Sequence, residues 1–431
     1  DSKSSCPAYF LTKIFIPYFY VGGIVVRVLV VNCGSSSIKY QFLDMDTEQV
    51  LCKGLAERIG IPGSRIVHKK DDQKVVADKP MKDHEEALKY VLELVVDEKV
   101  GGVKDLKEID AVGHRVVHGG EKFSGSVLVD DEVMRALEEY SYLAPLHNPP
   151  NIIGIRAMMK LLPGVPNVAV FDTAFHSKMP AKAYLYAIPH EYYKKYKIRR
   201  YGFHGTSHRY VSKRTADILG LDYHKAKIIT VHLGNGASVA AVMNGHSIDT
   251  SMGFTPLEGL VMGTRCGDID PSIVTFLMEK EGMTAEEVYT ILNKKSGVFG
   301  LTDGFSSDMR DIEDKALEGE PVCRLALDIY EYRIAKYIGA YVAAMNGVDA
   351  IAFTAGVGEN SPITRKEICE NYLGFLGIKI DDEKNNIKGE ERIITTPDSK
   401  VKVLLVPTNE ELMIARDTKE IIEKGIKQLE Y

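Results

Sequence analysis

The sequence predicts an α/β fold built from a duplicated unit. Continuous apolar runs that suit buried strands end in turns of small polar residues, and stretches with helical apolar spacing lie between them. The first unit is an apolar run at 28–31, a polar turn at 32–37 and an alternating strand at 38–43. A similar unit returns about 200 residues later, at 228–242. Two such hairpins so far apart predict two related domains.

The remaining elements continue the same alternation. A third apolar strand at 350–354 runs into glycines at 355–360 and then into a helix-like stretch. A strand that delivers glycines to a helix start suits an anion, because unpaired backbone N–H groups and the helix dipole face the ligand. Candidate domain breaks lie at 148–151 and 296–310. The helical spacing predicts helices over 85–96, 131–143, 210–219 and 324–345.

Composition narrows the class of protein. The 431 residues include 54 Lys and Arg against 60 Asp and Glu, a net charge of −6, which argues against a general nucleic-acid binder. No uncharged apolar run of about 20 residues exists to span a membrane. The six cysteines are scattered without a disulfide or zinc pattern, so we expect a cytoplasmic protein. Anionic substrates would have to be bound by local positive groups.

The first 25 residues differ from the rest in composition. Six aromatic residues crowd around Pro17, and Gly22 and Gly23 follow them. Three interpretations stay open: a targeting segment, an aromatic extension docked on the fold, and an appended leader. We expect residues 1–25 to form an extension outside the fold.

Histidine and arginine placement points to anion chemistry. Nine of the twelve histidines lie between His114 and His232. His204 and His208, four residues apart, could bind zinc from one helix face, but no third ligand is evident, and a structural role for His208 is favoured. Arg115 and Arg265 sit in Gly- and His-rich segments, which suits oxyanion recognition. Pairing of Arg265 with a nearby Asp268 or Asp270 is the competing interpretation.

Acidic and small polar residues at strand ends suggest a nucleotide and a metal. Asp172 and Glu410 each follow an apolar strand, where hard cations such as Mg²⁺ are held, although helix capping is an alternative. The sequence contains neither a Walker-type phosphate loop nor a dinucleotide fingerprint. Binding would therefore use the polar turns around 32–39 and 232–238.

Ten collinear segments from residue 27 onward together resemble the acetokinase family, of the acetate and sugar kinase, chaperone and actin superfamily. The matching segments are 32–39, 113–120, 146–151, 171–176, 201–208, 232–238, 262–271, 308–311, 354–361 and 407–412. The resemblance implies duplicated ribonuclease-H-like domains with an interdomain cleft. The N-terminal domain would be 26–174, joined by about 408–431, and the nucleotide-binding domain 175–407. The family is usually homodimeric.

The implied reaction is the reversible transfer of a phosphoryl group from ATP to acetate, which gives ADP and acetyl phosphate. Mg²⁺ would be the metal, with Mn²⁺ as a substitute, and neither nucleic acid nor membrane would be a partner. The barrier to such a transfer is mainly alignment and charge neutralisation.

Family roles carry over residue by residue. The catalytic positions are Asp172, His204 and Arg265, and the metal positions are Asn32 and Glu410. The substrate positions are Arg115, Val117, Leu146, His147, Phe203 and Pro256. The nucleotide positions are Ser35, Ser37, Lys39, His232, Leu233, Gly234, Asn235, Gly236, Asp308, Met309, Arg310, Gly356, Val357, Gly358, Glu359 and Asn360. Asp172 matches the proposed acid/base of the family, but acetate has no proton to lose, so we favour a role in orienting Arg115 or the metal.

Two other functions stay open. A propionate kinase would share nearly all of these motifs, since one methylene changes binding by only about 1–3 kcal/mol. An ATP-driven conformational protein like actin would share the fold, but it has no evident need for Arg115 and the His-rich segments. Cys33 and Cys266 depart from the common family pattern, and we expect their oxidation or alkylation to inhibit.

Overall fold

The computed structural model describes residues 26–431, which form two β-sheets with helices packed against them. The α/β prediction is therefore confirmed. The expectation for the extension 1–25 lies outside the described residues. Within 26–431, no helix has the length and apolar character needed to cross a membrane.

The first sheet has eight strands in the order β5-β4-β3-β2-β1-β6-β8-β7. Their bounds are β1 (Arg27–Cys33), β2 (Ser37–Asp44), β3 (Gln49–Glu57), β4 (Arg65–Lys70), β5 (Gln73–Asp78), β6 (Ala111–Val116), β7 (Val127–Leu128) and β8 (Asn167–Phe171). The central strands β1, β6 and β8 run parallel, whereas β1 and β2 form an antiparallel hairpin. Strand β8 is buried along its whole length, as expected for a strand covered on both faces.

The second sheet has six strands in the order β11-β10-β9-β12-β14-β13. Their bounds are β9 (Lys227–Leu233), β10 (Ala237–Met243), β11 (His246–Thr250), β12 (Ala350–Thr354), β13 (Arg392–Ile393) and β14 (Lys402–Leu405). Strands β9 and β10 form the antiparallel hairpin, and β9, β12 and β14 run parallel.

The same strand arrangement therefore occurs twice. The series β3-β2-β1-β6-β8 and the series β11-β10-β9-β12-β14 have the same pairing directions in the same chain order. The two hairpins that suggested a duplication from the sequence are β1 with β2 and β9 with β10. Because the carboxyl ends of parallel strands meet at one edge of a sheet, each copy brings the loops after its parallel strands together.

The helices cover the faces of these sheets. Those that precede the second sheet are α1 (His84–Val95), α2 (Asp131–Glu139), α3 (Asn148–Leu161), α4 (Ala181–Tyr184), α5 (His190–Tyr196) and α6 (Gly205–Leu219). Those that follow are α7 (Ser272–Glu281), α8 (Ala285–Lys294), α9 (Gly297–Leu301), α10 (Met309–Leu317), α11 (Pro321–Met345), α12 (Ala355–Asn360), α13 (Pro362–Glu367), α14 (Asp382–Asn385) and α15 (Glu410–Lys424).

Three predicted segments differ from the structure in informative ways. The Pro/Asn-rich stretch is the first turn of α3, because Pro149 and Pro150 suit helix N-termini, where the missing N–H would be unsatisfied anyway. The glycine segment after β12 is itself the short helix α12 rather than a loop before one. Helix α6 begins at Gly205, five residues before the predicted start at 210.

Helix α15 connects the end of the chain to the first sheet. Its apolar residues Leu412 and Ile414 pack with Val28 and Val30 of β1 in one buried cluster. Gly113 on β6 permits this close approach, since a Cβ there would lie 2.7 Å from Ile414 Cγ2. As a result, the residue that opens α15, Glu410, lies beside the carboxyl ends of strands from the first sheet.

Candidate active site

Two neighbouring cavities open where the loops from the two sheets face each other. The smaller has a volume of about 290 Å³ and the larger about 730 Å³. The turn between β9 and β10 lies between them. Asn235 lines the larger cavity, and Gly236 lies so close to Arg265 of the smaller one that a Cβ would be 2.6 Å from Nη2. A ligand that fills both cavities would pass this turn.

The smaller cavity gathers most of the predicted substrate, catalytic and metal positions. Its walls are Asn32, Cys33, Gly34, Ser37, Lys39, Arg115, Val117, His147, Asn151, Asp172, Phe203, His204, Pro256 and Arg265. Three cationic side chains and two imidazoles thus face a space with only one carboxylate in its wall. This charge balance suits an anionic ligand.

Arg115 and Asp172 form a bidentate ion pair at the carboxyl ends of β6 and β8. Arg115 Nε and Nη2 donate to the two carboxylate oxygens at 3.0 and 2.7 Å, and the Asp172 side chain is only 2 % exposed. The Asp172 charge is the main reason that the pKa of Arg115 is raised above its usual range. Because the pair uses the Nε and Nη2 edge, Nη1 stays available to a ligand in the cavity.

The backbone at Asp172 also positions His204. The Asp172 carbonyl accepts a hydrogen bond from Gly205 N at 2.8 Å, and a Cβ on Gly205 would lie 2.3 Å from that oxygen. His204 itself precedes α6 in the left-handed region, with φ of 55°. A non-glycine residue pays strain for this conformation, which is common where a side chain is held for function.

His204 belongs to a cluster of buried imidazoles. Its ring stacks on His232 with a centroid distance of 4.1 Å, and His208 lies 6.4 Å away. Desolvation, followed by the neighbouring imidazoles and then the two arginines, holds the pKa of His204 well below its usual value. Burial lowers the pKa of His232 to about 3. These rings are therefore neutral at physiological pH.

His208 has the structural role that the sequence favoured. It is fully buried, and both ring nitrogens are within hydrogen-bond distance of hydroxyl groups, at 2.7 Å from Thr230 and from Ser238. Within residues 26–431, no group of three His, Cys, Asp or Glu side chains is arranged to hold a metal ion. The zinc interpretation is therefore not supported.

Arg265 is a cation without a carboxylate partner in the described chain. Its Nη1 donates to the Pro256 carbonyl at 2.6 Å. The acid offered by the competing interpretation, Asp268, instead accepts from Tyr337 at 2.7 Å and pairs with Arg333. Desolvation lowers the pKa of Arg265, although the guanidinium remains charged at neutral pH. An unpaired charge in this place costs free energy until an anion arrives.

Glu410 brings a second carboxylate to the same region. Its Oε1 is buried and has no hydrogen-bond partner in the described chain. Desolvation raises the pKa of Glu410 to about 7, against the lowering effect of nearby Arg115. The adjacent Glu411 is paired with Lys39. A buried carboxylate oxygen without a partner is a ready ligand for a hard cation.

The larger cavity collects residues from six separate stretches of the chain between 234 and 388. Its walls are Gly234, Asn235, Gly263, Ser307, Asp308, Met309, Arg310, Glu313, Asp314, Tyr330, Gly356, Val357, Asn360, Ser361 and Lys388. Arg310 is exposed and pairs with Asp308 at 2.5 Å, so its guanidinium can turn toward a ligand at little cost. The volume lies in the range of sites for drug-sized ligands.

Several predicted site residues lie outside both cavity walls. Among the substrate positions, Leu146 is 53 % exposed and is absent from the wall of the smaller cavity. The Glu359 carboxylate accepts from Ala355 N and Thr408 N at 2.9 and 3.2 Å, and so joins two strand ends. The others outside the walls are Ser35, His232, Leu233, Gly236, Gly358 and Glu410, which are neighbours of wall residues.

Sequence reasoning missed residues that support the walls. Asn151 accepts from Val117 N at 3.0 Å and donates to the Cys33 carbonyl at 2.7 Å, which ties two wall loops together. It lies within one of the segments that carried the family resemblance, so a signal existed. Glu313 and Tyr330 come from α10 and α11, where nothing in the local sequence separates a cavity-facing residue from a core residue.

The expected sensitivity of Cys33 to oxidation or alkylation is not supported by its surroundings. The side chain is 3 % exposed, and desolvation raises the pKa of its thiol to about 12. The thiolate is the reactive form, so a raised pKa lowers the reactivity of this thiol at neutral pH. Cys266 is half-buried, and burial raises its pKa as well.

The chain is similar to known proteins over most of its length. The model of the acetokinase family matches residues 27–416. An acetate kinase from Fervidobacterium nodosum is 95 % identical over 406 residues, which cover 94 % of this chain and all of that protein.

Two solved structures are similar throughout. The crystal structure of the Porphyromonas gingivalis acetate kinase superposes with a TM-score of 0.89 at 53 % identity, covering 92 % of this chain and 99 % of that one. The structure of a propionate kinase from Francisella tularensis gives a TM-score of 0.85 at 43 % identity, covering 91 % and 99 %.

Proposed function

The chain belongs to the acetokinase family, and from this membership we propose that its cleft transfers a phosphoryl group reversibly between ATP and acetate. An acetate oxygen attacks the γ-phosphorus, and the bond from that phosphorus to the β–γ bridging oxygen breaks. The electron pair leaves with ADP, and acetyl phosphate remains. No proton has to be moved, because acetate is already ionised at neutral pH.

One observation carries this proposal: Arg265, a cation without a carboxylate partner in the described chain, lies between the two cavities. A group that passes from a nucleotide in the larger cavity to an acceptor in the smaller one must cross this point. The transferring phosphoryl group carries negative charge on its equatorial oxygens, and a fixed guanidinium stabilises that charge.

The acceptor end of the reaction is assigned to Arg115 and the apolar wall. Asp172 holds Arg115 by its Nε and Nη2 edge, which directs the remaining Nη1 to the acetate carboxylate. Val117, Phe203 and Pro256 line the space for a methyl group. In this assignment Asp172 is a positioning residue rather than a proton acceptor.

The phosphoryl group would lie against Arg265 and His204, with His147 in the same wall. A neutral His204 offers an N–H donor without adding a second positive charge beside Arg265. Pre-positioned donors of this kind act at the moment when charge develops and need no reorganisation.

The nucleotide is assigned to the larger cavity. Its walls contain residues of three predicted nucleotide segments, at 234–235, 308–310 and 356–360. Lys39 lies in the smaller cavity, where it can contact a terminal phosphate after leaving Glu411.

Mg²⁺ fits the carboxylate and amide oxygens near the smaller cavity. Glu410 Oε1 has no partner, and Asn32 lines the same space. Mg²⁺ usually keeps several waters and takes only one or two carboxylates together with substrate phosphates, so a sparse protein ligand set is expected. When bound, the ion would neutralise charge on the β- and γ-phosphate oxygens.

We also propose that the chain forms a homodimer and works in a reducing compartment, the cytoplasm. Helix α7 buries none of its residues and exposes Ile273 and Phe276, while α11 exposes Leu325 and Tyr332. Exposed apolar faces of this kind are typical of an interface. The five cysteines in the described chain are free thiols.

The domain assignment is likewise a proposal. We assign 26–174, joined by about 408–431, to one domain and 175–407 to the other. The support is that α15 packs on the first sheet, while β14 pairs in the second sheet only a few residues earlier. The smaller cavity takes its walls from both units, whereas the walls of the larger one come from 234–388 alone.

The first prediction concerns the acceptor. With ATP and Mg²⁺, hydroxylamine trapping should detect an acyl phosphate from acetate. We expect a kcat/KM for propionate lower by about tenfold, because one methylene must fit the wall of Val117, Phe203 and Pro256. A higher kcat/KM for propionate would assign the chain to the propionate kinases, and no trapped acyl phosphate from either acid would overturn the proposal.

Substitution of Arg115 and of Arg265 should change different kinetic constants. Arg115→Ala should raise the acetate KM by about 10- to 100-fold with little change in ATP affinity, because it removes the carboxylate contact. Arg265→Ala should lower kcat by about 10² to 10³-fold, because it removes a transition-state contact. Steady-state kinetics separates these outcomes, with Arg156→Ala on the exposed face of α3 as the control. An unchanged acetate KM in the first variant contradicts its role.

Glu410→Gln tests the metal site through two readouts. The apparent Mg²⁺ requirement should rise by about tenfold or more, since the anionic ligand is lost. Without metal at pH 8, the variant should be more stable by up to about 3 kcal/mol, the cost that follows from a pKa raised from 4.5 to about 7. A carboxyl whose folded pKa is raised to about 7 opposes folding once it is ionised, and glutamine removes that cost.

Denaturant unfolding and Mg²⁺ titration measure the two effects of Glu410→Gln. Glu420→Gln, on the exposed face of the same helix, is the matched control and should change neither quantity. A Mg²⁺ requirement that stays the same in Glu410→Gln would remove Glu410 from the metal site.

Light scattering tests the dimer. The wild-type chain should have the mass of two chains, and Phe276→Glu on α7 should shift the population toward one chain, because it buries a charge in the apolar interface. A wild-type mass of one chain would contradict the proposal.

A further inference from the structure

A row of buried hydrogen bonds leads from the second sheet to His204. Thr230 Oγ1 lies 2.7 Å from His208 Nδ1, and His208 Nε2 lies 2.7 Å from Ser238 Oγ. Ser238 Oγ in turn lies 2.8 Å from His204 Nδ1. Thr230, His208 and Ser238 are all 0 % exposed, so water cannot supply or accept protons along the row. We refer to these three residues as the relay.

The relay can be ordered in two directions. In one, the Thr230 hydroxyl donates to His208 Nδ1, His208 Nε2–H donates to Ser238, and the Ser238 hydroxyl donates to His204 Nδ1. In the other, every donor and acceptor is reversed, so that His204 Nδ1–H donates to Ser238. A neutral imidazole has one donor and one acceptor nitrogen, so the direction at one end fixes the direction at the other.

The buried end of the relay decides between these directions. The only hydrogen-bond partner of the Thr230 hydroxyl in the described chain is His208 Nδ1. In the reversed direction that nitrogen carries the proton, and the Thr230 hydroxyl hydrogen is left buried without an acceptor. Buried polar hydrogens are almost always bonded, because leaving one unbonded is unfavourable. The first direction satisfies every hydrogen of the relay.

The other side of His204 faces the smaller cavity. Its Nδ1 is taken by Ser238, and the ring lines the cavity with Cε1 near Gly236 and Arg265. Its Nε2 makes no hydrogen bond to another residue within 26–431. If Nδ1 accepts from Ser238, the proton of the neutral ring must be on Nε2. If Nδ1 donates, a lone pair on Nε2 faces the cavity and repels an anion.

We propose that Thr230, His208 and Ser238 act as positioning residues that hold His204 as the Nε2–H tautomer, so that it presents an N–H donor to the transferring phosphoryl group. The role of this N–H in phosphoryl transfer rests on the proposed function, whereas the tautomer of His204 does not. The relay lets His204 be a donor while it stays neutral, which its stacking on His232 favours.

The wild-type protein labelled with ¹⁵N-histidine gives the direct test. Ring-nitrogen chemical shifts distinguish protonated from unprotonated nitrogens, and the His204 signals are assigned as those lost in His204→Gln. We expect a protonated Nε2 and an unprotonated, hydrogen-bonded Nδ1. A protonated Nδ1 overturns the proposal. Because this measurement needs no turnover, it stands apart from the hydroxylamine assay, which tests the proposed function alone.

Variants test whether the relay sets this state and matters for turnover. Ser238→Ala should shift the His204 Nδ1 signal toward that of an unbonded nitrogen and lower kcat by about tenfold, with the KM for acetate and ATP changed by less than about threefold. Ser238→Thr keeps the hydroxyl and should restore both the signal and kcat. Unchanged signals together with an unchanged kcat in Ser238→Ala contradict the proposal.

Thr230→Val tests the far end of the relay, two hydrogen bonds beyond Ser238. It should disturb the ring-nitrogen signals of both His208 and His204, and Thr230→Ser should restore them. Thr215→Val is the matched control, because Thr215 is equally buried but bonds only to the Val211 carbonyl within α6. If Thr230→Val behaves like Thr215→Val in signals and in kcat, the buried hydroxyl does not set the direction. If Ser238→Ala fails to fold, the wild-type spectrum and the Thr230 pair still decide.

Discussion

The ion pair between Arg115 and Asp172 is the contact on which the geometry of the smaller cavity depends. Arg115 lies near the end of β6 and Asp172 follows the adjacent parallel strand β8, where the Asp172 backbone N–H donates to the Val116 carbonyl at 3.0 Å. The side chain of Asp172 fixes the guanidinium, and its carbonyl fixes the turn that carries His204. One residue therefore couples the proposed acceptor contact, Arg115, to the proposed phosphoryl contact, His204. A shift of Asp172 would move both together, which keeps their separation constant.

The electrostatics of the cleft follow from burial as much as from charge. The chain carries a net charge of −6, yet the smaller cavity gathers Lys39, Arg115 and Arg265. Asp172 neutralises one of these, Glu411 pairs with another, and Arg265 keeps its charge free of any described carboxylate. The imidazoles, held neutral by desolvation, add donors without adding repulsion. The cleft can thus bind two anions without the whole protein being basic.

The sequence allowed much of this to be predicted, and the failures have physical reasons. Strand β12 has its predicted bounds, because Asp349 precedes its apolar run and the glycine-containing segment of α12 follows Thr354. The predicted start of α6 is too late, because Gly205 and Ser207 are poor helix formers whose contacts are with Asp172 and His232.

Sequence patterns describe only local structure, so they do not show which residues meet in the folded chain. Nothing local distinguishes Leu146, which is exposed, from Val117, which lines the cavity, and nothing local places Tyr330 at the larger cavity. Motif spacing gave the residue types of the site, whereas the pairing of Arg115 with Asp172 required the fold.

The position of Glu410 at the start of α15 has a consequence for the order of events during synthesis. The first sheet and most of its covering helices are encoded before residue 175, but this carboxylate is made only after the whole second sheet. The chain therefore leaves the second sheet at β14 and returns to the first sheet as α15, which places Glu410 there. The proposed metal position is thus completed only after the segments that form both sheets have been made.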